Sequence, residues 1–116
     1  MLHHVGIEVR AEDVPRALEL FDALGFEPVE PPPSLAEGFT WVERDGTQVH
    51  LMHTAAPTVP PRGHLAVVAP DFDAACAALA ERGFEVEERR PHWGERRAVV
   101  RAPGGHRVEL MAAPPA

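Results

Sequence analysis

The sequence predicts an α+β fold made of two repeated modules, each a strand, a helix and three further strands. Three observations carry this. The opening segment Leu2-His3-His4-Val5-Gly6-Ile7-Glu8-Val9 is echoed by Arg62-Gly63-His64-Leu65-Ala66-Val67-Val68-Ala69, each carrying one histidine into a β-branched run. Each is followed by acidic residues and an apolar stripe at helical spacing that ends in Gly-Phe-Glu. Each half then closes on two strand-like runs joined by a turn dipeptide.

Taken in order, Glu12-Asp13 and Asp71 with Asp73 are expected to cap the two helices, because a carboxylate can accept from the free N–H groups of a first turn. Val14, Ala17, Leu18, Phe21 and Leu24 form the buried stripe of the first helix, and Phe72, Ala75, Cys76 and Leu79 that of the second. Gly25 and Gly83 suit the left-handed residue that closes a helix, with Phe26 and Phe84 opening the next strand. Runs 39–44 and 47–53 flank Asp45-Gly46, and runs 96–102 and 106–111 flank Gly104-Gly105; both dipeptides tolerate the positive φ of a tight turn. Pro31-Pro32-Pro33 reads as a stiff loop.

The modules span 1–54 and 62–116, joined by a Pro-rich linker over 55–61 that neither a helix nor a central strand can accommodate. A chain of 116 residues has the length of one domain, so the modules must share it. The net charge of −7 opposes binding to nucleic-acid backbones, and no apolar run approaches a membrane span. With one cysteine, Cys76, and no leader-like N-terminus, a cytoplasmic location is expected.

Seven histidines in so short a chain direct attention to metal binding. His4 and His64 lie 60 residues apart on the opening strands, and His50 and Glu109 lie 59 apart on the closing strands. Four side chains at equivalent places in two modules could converge on one divalent ion. Imidazole and carboxylate suit a borderline or hard cation, and the absence of paired thiolates argues against a structural zinc. Strand alternation turns His50 and Glu109 away from the apolar neighbours Val49 and Val108. Glu109, set among Val108, Leu110 and Met111, would be expensive to bury without a cation.

These residues resemble the vicinal oxygen chelate superfamily, which includes glyoxalases, methylmalonyl-CoA epimerases, fosfomycin-resistance enzymes, extradiol dioxygenases and bleomycin-resistance proteins. The resemblance spans the chain through His4-Val5-Gly6-Ile7-Glu8-Val9, Leu24-Gly25-Phe26, His64-Leu65-Ala66-Val67, Trp93-Gly94-Glu95-Arg96 and Pro103-Gly104-Gly105-His106-Arg107-Val108-Glu109-Leu110. It implies two βαβββ modules curling into a U-shaped cleft of mixed sheets, a zinc, nickel, cobalt, manganese or iron ion, a small-molecule substrate and a homodimer. His4, His64 and Glu109 match the family's metal ligands. His50 stands where glyoxalases carry glutamate and epimerases glutamine.

The leading expectation is a metal-dependent lyase or isomerase in which the ion polarises a carbonyl or enediolate and Glu109 or His50 serves as base. A drug- or metabolite-sequestering protein is the second reading, with Phe39, Trp41 and Trp93 suited to a cationic aromatic ligand. A ring-cleaving dioxygenase is the third, since two histidines and a carboxylate form the facial triad of non-haem iron. The loop carrying His92 and Trp93 is placed over the pocket, together with Arg96. His3 is expected on the opposite strand face from His4, and His53 and His106 in solvent. Arg89 and Arg90, with Glu87 and Glu88, read as a solvated surface.

Overall fold

The computed structural model describes all residues from Met1 to Ala116. Two four-stranded mixed sheets carry one α-helix each. By contacts the chain divides into Met1–Val59 and Pro60–Ala116. Neither helix is long and apolar enough to cross a membrane.

The first module runs β1 (His4–Val9), α1 (Val14–Ala23), β2 (Glu27–Val29), β3 (Phe39–Arg44) and β4 (Thr47–His53), with sheet order β1-β4-β3-β2. β1 and β4 are parallel, which the intervening helix makes possible; β4, β3 and β2 are antiparallel. Alternation decides which residues are buried. Val42, Val49 and Leu51 face inward with Val9 and the α1 residues Ala17, Leu20 and Phe21, all at most 3% exposed. The other sheet face carries His4, His50 and Trp41.

The second module repeats this as β5 (Leu65–Val68), α2 (Phe72–Glu81), β6 (Val86–Arg89), β7 (Arg97–Arg101) and β8 (Arg107–Met111), ordered β5-β8-β7-β6. Its core is Val67, Phe72, Leu79, Phe84, Ala98, Val100, Val108 and Leu110. Glu109 therefore lies on the opposite face of β8 from its neighbours Val108 and Leu110.

Both helices end in the same way, as the shared Gly-Phe-Glu predicts. Gly25 N–H donates to the Asp22 carbonyl and Phe26 N–H reaches back to Phe21; Gly83 and Phe84 do the same toward Ala80 and Leu79. Gly25 holds φ at 88°, where a Cβ would crowd the backbone. Gly25→Ala is expected to lower stability by about 1–2 kcal/mol, read as a shifted urea midpoint with an unchanged slope.

The helix starts differ from each other. Asp71 accepts from Ala74 N–H as expected, whereas Asp13 holds the N-cap position of α1 without a side-chain capping bond and Glu12 does not reach it. They form a short 3-10 turn, Ala11–Asp13, and α1 begins with Pro15 in its first turn, where a missing N–H costs nothing. The Asp45-Gly46 turn takes positive φ at both residues, 50° and 83°.

Candidate functional site

In the first module the cross-strand register stacks three rings. Trp41 lies directly opposite His50 on β3 and β4, and their rings are parallel to within 2° with centroids 3.9 Å apart. On the other side of His50, the His4 ring from β1 stacks at 4.0 Å and 14°. His50 is thus sandwiched and only 7% exposed, despite being polar. Burial lowers its pKa below the usual 6.5, and His4 and then His3 add to the effect. Its charged form is thereby disfavoured.

The nitrogens of His50 are not equivalent. Nε2 lies 2.7 Å from Gln48 Oε1, and Gln48 Nε2 donates to Glu43 Oε1 at 2.9 Å. His3 Nδ1 lies 2.9 Å from His4 Nδ1, so one of the two carries the shared proton. His3 is exposed but stays with the cluster, edge-on to His4 and to His50. It precedes the first residue of β1, so strand parity does not dictate its direction. The Trp41 indole N–H is buried without an acceptor. An unmade bond of that kind costs about 1–3 kcal/mol, a penalty borne by the residue that completes the stack.

In the second module His64 and Glu109 meet. His64 Nε2 stands 3.2 Å from Glu109 Oε1, and His64 Nδ1 is 2.9 Å from the Arg62 carbonyl. A carbonyl oxygen only accepts, so Nδ1 carries a proton, and Nε2 faces a carboxylate oxygen that also only accepts. With one ring proton already committed to Arg62, the Nε2 side has none to give unless the ring takes a second. That arrangement calls for a cation, or a second proton on the ring, between them. Ligand bonds of about 2.0–2.1 Å place neighbouring donors of one ion roughly 3 Å apart, which is the separation observed. An imidazole and a carboxylate at this spacing offer a divalent ion two donors.

The second oxygen of Glu109 lies 3.5 Å from Arg97 Nη1. Arg97 is anchored by Nε donating to the Arg90 carbonyl and Nη2 donating to His92 Nε2 at 3.1 Å. The β6 to β7 loop is thereby tied to the Glu109 face. Trp93 is pinned by Nε1 donating to the Ala113 carbonyl.

Several expectations need correction. Arg96, assigned to the pocket, instead points to the α2 side: it pairs with Asp73 and Glu88 and lies 4.7 Å from the Phe72 ring centre. Val99 pairs with Glu109, so the odd residues of β7 share the Glu109 face, and Arg97 is the arginine beside the carboxylate. His106, expected in solvent, is 5% exposed. His53 is half-buried, with Nε2 2.8 Å from Thr40 Oγ1. Cys76 is only partly buried, and its thiol pKa is raised mainly by burial.

The structure thus brings His4 to His50 and, separately, His64 to Glu109. No group of three or more His, Cys, Asp or Glu side chains is arranged to hold a metal. His50 enters its pair as a stacked ring: parallel rings 4.0 Å apart do not aim their in-plane lone pairs at one point. Phe39 is half-buried at the start of β3, opposite Met52.

The profile of the Glyoxalase/Bleomycin resistance protein/Dioxygenase superfamily matches residues 1–110. No curated protein matches the chain. Among solved structures, a protein from Bacillus anthracis placed in the glyoxalase family superposes with a TM-score of 0.85 at 22% identity, over 96% of this chain and 93% of its own. The oxidase ChaP-H2 gives 0.77 at 25% identity, over 100% and 95%. The antibiotic-binding protein TnmS3 from a Streptomyces species gives 0.72 at 23%, over 96% and 93%.

Proposed function

Because the chain belongs to the Glyoxalase/Bleomycin resistance protein/Dioxygenase superfamily, we propose that it is a homodimeric, metal-dependent enzyme of lyase or isomerase type acting on a small carbonyl compound. His64 and Glu109 hold the ion. The observation that carries this is the meeting of His64 Nε2 with Glu109 Oε1 at 3.2 Å while His64 Nδ1 is committed to the Arg62 carbonyl. A divalent ion held there supplies Lewis-acid polarisation of a substrate oxygen.

The remaining roles belong to the chain's own groups. The Arg62 carbonyl fixes the His64 tautomer. Arg97, held in place by His92, draws on the far oxygen of Glu109 and gives the site a cationic side that orients an anionic or enolic oxygen. Glu109 or His50, whose charged form is disfavoured by burial, is the available base. The ion is zinc, nickel, cobalt, manganese or iron.

Exchange of solvent deuterium into the carbon beside the carbonyl tests the reading, with a panel of 2-oxoaldehyde hemithioacetals and branched acyl thioesters. Metal-loaded protein is expected to catalyse exchange, and chelator to stop it. Tight binding of aromatic cations with no exchange would favour the sequestering reading instead, in line with the antibiotic-binding description of TnmS3. Oxygen uptake with iron would favour the dioxygenase.

A further inference from the structure

We infer that Glu43 and Gln48 are positioning residues that lock His50 in its Nε2–H tautomer, leaving Nδ1 as the only acceptor this ring can offer to a substrate or an ion. The argument begins at the far end of the chain of bonds. A carboxylate has acceptors only, so Glu43 Oε1, 2.9 Å from the Gln48 side chain, selects the amide orientation in which Nε2 donates to it. That orientation turns Gln48 Oε1 toward His50. An amide oxygen also only accepts, so the 2.7 Å contact requires a proton on His50 Nε2.

Turning the ring over would undo this assignment, and the stack prevents it. Rotation about the Cβ–Cγ bond sweeps the ring through a plane perpendicular to its neighbours. Trp41 at 3.9 Å and His4 at 4.0 Å leave no room for that sweep. The strand register supplies both restraints: Glu43 lies opposite Gln48 and Trp41 opposite His50 on the same antiparallel pair. Gln48 and His50 are two apart on β4 and so share a face.

The functional meaning of this tautomer rests on the proposed site, but the tautomer itself is read without metal or substrate. The ¹⁵N-labelled full chain, treated with chelator, is examined by long-range ¹H–¹⁵N correlation, with His50 assigned by its loss in His50→Gln. The wild type is expected to show a protonated Nε2 and an unprotonated Nδ1 for His50. In Glu43→Gln the new amide can donate as well as accept, Gln48 is free to turn, and a mixture containing the Nδ1–H form is expected. Gln48→Met, which keeps side-chain length without either amide group, is expected to give the same loss of a single form.

An Nδ1–H tautomer in the wild type, or a spectrum unchanged in a folded Glu43→Gln or Gln48→Met chain, would overturn the inference. A purely structural role for Glu43 would alter stability and leave the tautomer as it was. Metal uptake measured on the same samples separates the two readings: wild type with the Nε2–H form but no metal binding sinks the metal proposal and leaves this one standing.

Discussion

Glu109→Ala is expected to weaken binding of a divalent ion by roughly 100-fold or more, exceeding the 10- to 100-fold typical when only a group behind a ligand is lost. The carboxylate is the one anionic donor at the His64 pair, and its side chain is only 13% exposed, so solvent does little to screen its charge. Removing it leaves His64 Nε2 without a facing anion and Arg97 without its carboxylate partner. Stability should change little, within about 1 kcal/mol, since the His64 side chain is 39% exposed and the Arg97 contact is long at 3.5 Å. Isothermal titration with zinc or nickel checks the affinity, and urea unfolding the stability.

Leu110→Ala, one residue along β8, should produce the opposite pattern. Leu110 is fully buried, paired with Val67 on β5 and Ala98 on β7. Truncating it deletes apolar contacts and leaves a cavity that flanking strands cannot close, at about 2–5 kcal/mol. The unfolding midpoint should fall markedly, while the fraction that remains folded binds metal with nearly wild-type affinity. Adjacent side chains on one strand would thus affect different properties: one face of β8 holds the fold, the other would hold the proposed ion. Equal metal loss in both variants would mean that Glu109 acts by supporting the strand.

The architecture was legible in the sequence because local chemistry repeats there. Gly25 and Gly83 each precede a phenylalanine that must return to the helix end, and Asp45-Gly46 accepts the positive φ that a two-residue hairpin requires. Runs 39–44 and 47–53 matched β3 and β4 to the residue. The helix caps were half-legible, since Asp71 had no competitor whereas Glu12 and Asp13 met a proline in the following turn and folded into a 3-10 turn instead.

What escaped the sequence depends on pairing between strands. Arg96 and Arg97 differ by one position, and only the register with β8 decides that Arg97 reaches Glu109 while Arg96 goes to Glu88 and Asp73. Trp41 looked like an isolated pocket aromatic; its place against His50 follows from a register that no single strand records. The acceptor roles of Gln48 and Glu43 were hidden for the same reason. His106 follows a glycine pair that reads as exposed turn, yet the Pro103–Gly105 turn sets it into a buried position.

The central claim of the proposal, that His64 and Glu109 anchor a divalent ion, is tested most directly by titrating the chelator-treated full chain with cobalt(II) and following its visible absorption. The account predicts a saturable spectrum of a mixed imidazole and carboxylate environment, one ion per chain, abolished in Glu109→Ala and in His64→Ala. Absorption indistinguishable from aqueous cobalt(II), or a spectrum that persists unchanged in both variants, would contradict it.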